Sequence, residues 1–142
     1  MDADQDGARA ARTRSPRAAD NRPLRERRIL IVDDDLAILE ALEVLLGAHY
    51  EVLTATDGEK ALRLIHDGSI DLVVSDVLMP LLAGEELVLA ARASGARIPV
   101  ILISGHAERL ERAKTVGADA YLYKPFPLRV LEERIERLLA DH

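Results

Sequence analysis

One short segment of the chain combines an apolar run with an ionisable residue at its end. Residues 72–76 read Leu-Val-Val-Ser-Asp, and Pro80 follows four residues after Asp76. Such a run is typical of a strand buried on both faces of a parallel sheet. Asp76 would then lie at the carboxyl end of the strand, where open α/β sheets bind ligands. An ionised carboxylate in that place needs a partner, because burial of an unpaired charge is costly.

Polar side chains follow other apolar runs in the same way. Together with the first segment, these runs end in Asp33 and Asp34, in Asp76, in Ser104, and in Lys124. The carboxyl ends of parallel strands share one edge of the sheet, so we expect these side chains to meet in one crevice. Three carboxylates there would repel one another by several kcal/mol at reduced dielectric. A magnesium ion with oxygen ligands or the ammonium of Lys124 could compensate.

This grouping predicts phosphoryl chemistry. An aspartate beside magnesium and a lysine is a suitable phosphoryl acceptor, because phosphoryl transfer depends mainly on positioning and charge neutralisation. The hydroxyl of Ser104 could donate to a phosphoryl oxygen. Taken singly, Asp76 and Ser104 could be turn residues, Lys124 a solvated charge, and Asp35 a helix N-cap. The four strand-end positions together favour the phosphoryl hypothesis, whereas for Asp35 we favour the cap.

The elements that would position these residues alternate regularly along the chain. We predict strands at 28–32, 50–55, 71–76, 99–103 and 118–123, and helices at 35–47, 57–67, 85–94, 107–116 and 128–140. The first helix carries leucines at 39, 42, 45 and 46 on one face, and the fourth is only weakly amphipathic. Strict alternation indicates an α/β fold with a parallel five-stranded sheet covered by helices on both faces.

Composition limits the other possibilities. A chain of 142 residues suits one domain, and the net charge of −6 argues against a general nucleic-acid binder. We therefore expect no direct DNA binding by the folded domain. No apolar run is long enough for a membrane span, no secretory signal is recognisable, and cysteine is missing. These features are those expected of a cytoplasmic protein with no membrane contact.

The first 27 residues differ from the rest. They hold seven arginines and five acidic residues and almost no bulky apolar side chains. We predict a disordered arginine-rich tail over residues 1–27 and one folded domain over 28–142. The tail could contact nucleic acid or an acidic partner, although a solvated extension is the simpler interpretation.

The motifs of residues 28–140 resemble the receiver domain of two-component response regulators. They are Ile-Leu-Ile-Val followed by Asp33, Asp34 and Asp35; the segment from 71 to Pro80 around Asp76, with Gly84 after it; Ile-Leu-Ile-Ser104-Gly-His-Ala; and Gly117-Ala-Asp-Ala-Tyr121-Leu-Tyr-Lys124-Pro125-Phe126. Each motif alone is weak evidence for this family, but the order and spacing of all four together are specific to it. Gly105 stands where alanine is common, and Ser75 is more polar than is usual there.

The resemblance implies a flavodoxin-like, doubly wound sheet of order 2-1-3-4-5. It implies that Asp76 accepts a phosphoryl group from a sensor histidine kinase or a histidine phosphotransfer protein. Magnesium would be held by Asp33, Asp34, Asp76 and the carbonyl of Leu78. The phosphoryl-binding and switch residues would be Ser104, Tyr121 and Lys124, with a cis bond before Pro125.

On this hypothesis the chain is a phosphoacceptor switch rather than an enzyme, although it would assist its own phosphorylation and dephosphorylation. Phosphorylation would reshape the face formed by the fourth helix, the fifth strand and the fifth helix, which a downstream protein would bind. No output domain is recognisable after residue 140, so we expect a stand-alone regulator; a fragment of a larger regulator is the alternative.

Two other functions fit parts of the pattern. A small haloacid-dehalogenase-like phosphohydrolase would use Asp33 as its nucleophile and Asp35 as its acid/base partner, but the chain is short for that fold. An interaction module that is never phosphorylated would not need the acidic pair or Lys124.

Overall fold

The chain folds as five strands that alternate with five α-helices in a computed structural model, which describes residues 22–78, 83–93, 95 and 98–141. The strands are β1 (Arg28–Val32), β2 (Glu51–Ala55), β3 (Leu72–Asp76), β4 (Val100–Ser104) and β5 (Ala120–Tyr123). The helices are α1 (Leu36–Gly47), α2 (Gly58–His66), α3 (Gly84–Ala93), α4 (Ala107–Ala113) and α5 (Leu128–Asp141), with 3₁₀ turns at Leu24–Glu26 and Lys114–Val116. No helix among these residues is both long and apolar enough to cross a membrane.

The strands form one parallel sheet in the order β2-β1-β3-β4-β5. This confirms the predicted flavodoxin-like topology. The chain reverses its direction of strand addition between β1 and β3, and such a switch point opens a crevice at the carboxyl ends of the strands. Asp76 at the end of β3 and the residues that follow β1 lie at this switch point.

The two faces of the sheet carry separate apolar cores. One core packs α2, α3 and α4 against the sheet, and the other packs α1 and α5 against its opposite face. Strands β3 and β4 are buried along their whole length because helices cover both of their faces. Their buried, rigid backbone is what fixes the position of the side chains at the carboxyl edge.

The predicted inward face of α1 was wrong at one position. Leu39, Leu42 and Leu46 are buried, but Leu45 is 47% exposed. Positions 39, 42 and 46 follow the helical repeat, and Leu45 is rotated from Leu46 by about 100°. Leu45 therefore lies at the margin of the buried face and is left partly exposed.

The fourth helix ends earlier than predicted. It stops at Ala113 and tightens into the 3₁₀ turn Lys114–Val116 instead of continuing to residue 116. The hydroxyl of Thr115 donates to the carbonyl of Arg112 and so competes with helical bonding there. Gly117, with φ of 74°, then adopts the left-handed conformation that ends the segment.

The start of the folded domain also needs correction. The predicted disordered tail includes residues 22–27, but Leu24–Glu26 forms a 3₁₀ turn and Arg27 is buried. Arg22 pairs with the buried carboxylate of Asp71 at 2.6 Å. Compensation of that buried charge fixes the segment, and composition alone does not reveal such a partner. Residues 1–21 lie outside the described part of the chain.

Candidate functional site

At the carboxyl edge of the sheet, backbone hydrogen bonds between neighbouring strands continue one residue beyond the strand ends. These bonds fix the main chain of the predicted site: the Asp33 amide donates to Ala55 at 3.1 Å, Val77 to Ile103 at 2.9 Å, and Lys124 to Ser104 at 2.8 Å. The side chains of the site therefore extend from an ordered frame and not from free loops.

Lys124 joins two carboxylates that lie far apart in the sequence. Its Nζ donates to Oδ2 of Asp76 at 2.8 Å and to Oδ2 of Asp33 at 3.0 Å. Burial is the largest single influence on the pKa of Lys124 and would lower it. The bonds and charges of Asp76 and Asp33 together outweigh burial, so the pKa of Lys124 is raised above its ordinary value. Lys124 therefore keeps its positive charge at the centre of the site.

Asp33 is the most enclosed acidic group of the site. It is 1% exposed, and its Oδ1 accepts the backbone N–H of Asp35 at 3.0 Å. Burial raises the pKa of this carboxyl, and the nearby charge of Asp76 adds to that effect. The Asp35 N–H and Lys124 act in the opposite direction but do not cancel it. An ionised Asp33 is thus an unfavourable charge that a further cation would stabilise.

The acidic groups that the sequence predicted do come together. Asp33, Asp34 and Asp76 can each offer one carboxylate oxygen, and these atoms lie within 4.8 Å of one another. Oxygens on opposite sides of an octahedral magnesium ion are about 4.2 Å apart, so small side-chain movements would suffice. The oxygen-only donor set also suits a hard divalent cation. These residues could therefore hold magnesium.

The loop after β3 controls the orientation of Asp76. The backbone N–H of Leu78 donates to Oδ1 of Asp76 at 2.9 Å, while Oδ2 faces Lys124. Leu78 itself is exposed, beside the site. Asp76 is 8% exposed, so it is largely enclosed and only a small part of it faces solvent.

Ser104 and Tyr121 are near the site in the fold but have other partners. Ser104 is fully buried, and its hydroxyl accepts the N–H of His106 at 3.0 Å. The Tyr121 hydroxyl accepts the N–H of Ala118 at 2.8 Å and donates to the carbonyl of Lys114 at 3.3 Å. The Ser104 hydroxyl thus bonds to the backbone just before α4, and the Tyr121 hydroxyl bonds to the backbone just after it.

Two further features adjoin Lys124. Its peptide bond to Pro125 is cis, which confirms the prediction. An apolar groove of about 450 Å³ opens between α1 and the segment after β5, lined by Ile38, Ala41, Leu42, Ile103, Lys124, Pro125 and Phe126. Sequence reasoning missed this groove, although Phe126, the single phenylalanine of the chain, was a usable indication.

Asp35 has the capping role that we favoured. Its side chain accepts the N–H groups of Ala37 and Ile38 at the start of α1. Asp33 has each oxygen engaged by a donor, Oδ1 by the Asp35 amide and Oδ2 by Lys124. The capping contacts of Asp35 do not suit the phosphohydrolase hypothesis, in which Asp35 would be the acid/base partner. The contacts of Asp33 do not separate the two hypotheses, because both oxygens of Asp76 are engaged in the same way, by the Leu78 amide and Lys124.

Comparisons with known proteins agree with this geometry. Residues 29–136 match the family model described as the response regulator receiver domain. The transcriptional regulatory protein PrrA of Mycobacterium tuberculosis is 41% identical over 115 residues, which are 79% of this chain and 49% of PrrA. The chain thus spans about half the length of this curated relative. The phosphohydrolase alternative is not favoured by these matches.

Solved structures give the same result. A CheY-like receiver domain protein from Methanospirillum hungatei superimposes with a TM-score of 0.74 at 35% identity, covering 80% of this chain and 94% of that one. The receiver domain of a Pseudomonas aeruginosa sensor histidine kinase, with magnesium coordinated in its active-site cleft, gives 0.70 at 29% identity, covering 80% and 98%. With the family match over most of its length, the chain belongs to the receiver domains of two-component response regulators.

Proposed function

We propose that this domain is a phosphorylation-controlled switch whose acceptor is Asp76. The observation that carries the proposal is the bridge from Lys124 to Asp76 at 2.8 Å and to Asp33 at 3.0 Å, beside a third carboxylate. A cation held against an enclosed aspartate stabilises the charge of an incoming phosphoryl group. The phosphodonor would be a sensor histidine kinase or a histidine phosphotransfer protein.

Magnesium would be bound by Asp33, Asp34, Asp76 and the carbonyl of Leu78. The ion, when bound, would neutralise charge on the phosphoryl oxygens. Two considerations support this assignment: the carboxylate oxygens are close enough together, and burial makes the charge of Asp33 unfavourable without a cation. The magnesium in the Pseudomonas aeruginosa relative is consistent with the same use of this cleft.

The transfer itself needs few groups. An oxygen of the Asp76 carboxylate attacks phosphorus, and the bond from phosphorus to the donor imidazole nitrogen breaks. The imidazole leaves in its neutral form because its other ring nitrogen carries a proton taken from solvent. Lys124 stays within reach of the new phosphoryl oxygens because its ammonium already bonds to the acceptor. Positioning and charge are the main contributions in phosphoryl transfer. In the later hydrolysis, water attacks phosphorus, the bond from phosphorus to the Asp76 oxygen breaks, and inorganic phosphate leaves while the carboxylate is restored, assisted by the same groups.

Ser104 and Tyr121 would couple the site to the surface. The Ser104 hydroxyl, which donates to the carbonyl of His106 at 3.3 Å, would donate instead to a phosphoryl oxygen, and the start of α4 would move with it. Tyr121 would then release Ala118 and Lys114 and turn inward. The face formed by α4, β5 and α5 would change shape and recruit a downstream protein. This is a two-state element biased by a local electrostatic event.

The apolar groove beside Lys124 would receive the histidine-bearing helix of the phosphodonor. The donor imidazole must approach Asp76 at this edge of the sheet, and the groove borders the same edge through Lys124 and Pro125. Introducing charge by Ala41→Glu should slow phosphotransfer from phosphorylated histidine kinases at least tenfold. Labelling by acetyl phosphate should stay at the wild-type rate, since a small donor does not need the groove. Equal slowing with both donors would contradict this part of the proposal.

The acceptor is tested by labelling with acetyl phosphate and magnesium. Asp76→Asn should abolish the label, whereas Asp33→Asn should remain an acceptor at a reduced rate. Asp57→Asn, at the N-cap of α2, is the matched control and should be labelled as the wild type is. Label that disappears in Asp33→Asn and survives in Asp76→Asn would overturn the proposal. If beryllofluoride with magnesium leaves the amide resonances near Ser104 and Tyr121 unchanged, the switch does not operate.

A further inference from the structure

The carbonyl group of Asp76 is contacted by a buried hydroxyl. Ser75 is fully buried, and its Oγ donates to the Asp76 carbonyl oxygen at 2.9 Å. A buried hydroxyl without a partner is destabilising, so this bond satisfies Ser75. It also adds a donor to the peptide group that joins Asp76 to Val77, next to the residue that bears the acceptor carboxylate.

Gly84, the first residue of α3, lies close to the same carbonyl group. A Cβ placed on Gly84 would lie 2.6 Å from the Asp76 carbonyl oxygen and 3.0 Å from Cα of Val77. The Gly84 amide donates to the carbonyl of Val77 at 3.0 Å. Only glycine permits this approach without a shift of the helix or the strand end. The peptide group is therefore confined between the Ser75 hydroxyl and the α3 backbone.

The position of this peptide group determines how the acceptor is oriented. Oδ1 of Asp76 accepts the N–H of Leu78, two residues further along the same backbone. If the Asp76–Val77 peptide group rotated, the Leu78 N–H would move, and the carboxylate would lose one of the two donors that fix its plane. The second donor, Lys124, would then hold the carboxylate from one side alone.

From these contacts we infer that Ser75 and Gly84 are positioning residues for phosphoryl transfer to Asp76. They act through the Asp76–Val77 peptide group and touch neither phosphodonor nor magnesium. The inference rests on the proposed function of Asp76. A purely structural role for the buried hydroxyl predicts a loss of stability, whereas positioning predicts a slower transfer that stability does not explain.

The decisive variant is Ser75→Ala, which removes the donor and adds no bulk. We expect magnesium-dependent labelling by acetyl phosphate to slow about tenfold or more, at magnesium concentrations that saturate each protein. Val73→Ala is the matched control, because Val73 is fully buried in the same strand and in the core that α3 covers. It should lose stability to urea at least as much as Ser75→Ala, and its labelling rate should stay within about threefold of wild type.

Two more variants test the two sides of the peptide group. Ser75→Thr keeps the hydroxyl and should restore most of the rate, and Gly84→Ala should slow labelling at least as much as Ser75→Ala does. The inference is overturned if Ser75→Ala is labelled at the wild-type rate, or if Val73→Ala is slowed as much. Failure of the proposed function looks different, because wild type and Asp76→Asn would then be labelled alike or not at all. If Gly84→Ala does not fold, the Ser75→Ala and Val73→Ala comparison decides.

Discussion

The side chain of Lys124 is the cation that joins the two enclosed acidic groups of the site. It is 22% exposed at the side chain and bonds to two acidic groups that are themselves enclosed. Removal of such a cation leaves carboxylates that repel each other without compensation. The lysine is therefore a stabilising residue in the unphosphorylated domain as well as a proposed ligand of the phosphoryl group.

Replacement of Lys124 by glutamine should lower the free energy of unfolding by about 1–3 kcal/mol at neutral pH. Because the pKa of Lys124 is raised in the folded state, this loss of stability depends on pH in alkaline solution. The lysine's contribution is complete below its ordinary pKa of 10.5 and disappears as pH rises through the higher pKa of the folded state. The difference between wild type and Lys124→Gln in urea unfolding should shrink over that interval.

Lys114→Gln is the control for this experiment. Lys114 pairs with Glu111 on the surface, where both side chains are more than half exposed. Such pairs contribute about 0–1 kcal/mol. A Lys124→Gln variant no less stable than Lys114→Gln, or a difference that stays constant through the alkaline interval, would show that Lys124 does not stabilise the carboxylates.

Asp33 should have the opposite effect on stability. Its pKa is raised chiefly by burial, so its ionised form destabilises the fold above that pKa. Asp33→Asn removes the charge, and we expect a higher free energy of unfolding at neutral pH without magnesium. The gain should diminish as pH falls through the raised pKa toward the ordinary value of 3.8. A neutral-pH loss of stability in urea unfolding would contradict the assigned direction.

At the scale of elements, the sequence specified the strand ends well. Runs such as residues 28–32 and 72–76 are so apolar that the first acidic residue marks the point where the strand leaves the core. This pattern predicted that Asp33, Asp76 and Lys124 would meet, and the structure confirms the contact. The strand order followed from the resemblance rather than from periodicity.

The same reasoning missed contacts that depend on tertiary partners. Arg22 lies in a stretch whose composition suggests disorder, but Asp71 pairs with it across 49 positions. The bond of Ser75 to the Asp76 carbonyl had one indication, a polar residue inside an apolar run. Local pattern cannot specify which distant group satisfies a buried charge or hydroxyl.

Arg92, at the end of α3, makes other contacts of this kind, and they yield a prediction about how the elements are held together. It donates to the carbonyls of Ile98 and Gly117 and to the carboxylate of Asp119, and Asp119 accepts the N–H of Val100. One side chain thus joins α3 to the starts of β4 and β5. Arg92→Ala should lower the free energy of unfolding by about 1–3 kcal/mol.

This prediction is checked by urea unfolding against Arg112→Ala, an exposed arginine on α4. The control should change stability by about 0.5 kcal/mol or less. Labelling by acetyl phosphate should be unaffected in Arg92→Ala under conditions where the protein stays folded, because the contacts lie at the opposite edge of the sheet from Asp76. Equal stability of the two variants would refute the joining role.

For the whole molecule, the carboxylates should couple metal binding to folding. A ligand that binds only the folded state stabilises it by about 2.7 kcal/mol at a concentration of 100 times its Kd. Magnesium should therefore raise the thermal midpoint of the wild-type domain. Asp34→Asn removes the exposed member of the acidic group and should reduce that rise, whereas calorimetry of Asp57→Asn should reproduce the wild-type response. An identical rise in Asp34→Asn would place magnesium elsewhere.

The chemical identity of the acceptor can be read from one labelled sample. The wild-type domain is phosphorylated with acetyl phosphate and magnesium, reduced with borohydride, digested and mapped by mass spectrometry. An aspartyl phosphate is reduced to homoserine, and we expect this conversion at Asp76 and at no other residue. Conversion at Asp33, or a phosphorylated domain with no homoserine at position 76, would contradict the proposal that Asp76 receives the phosphoryl group.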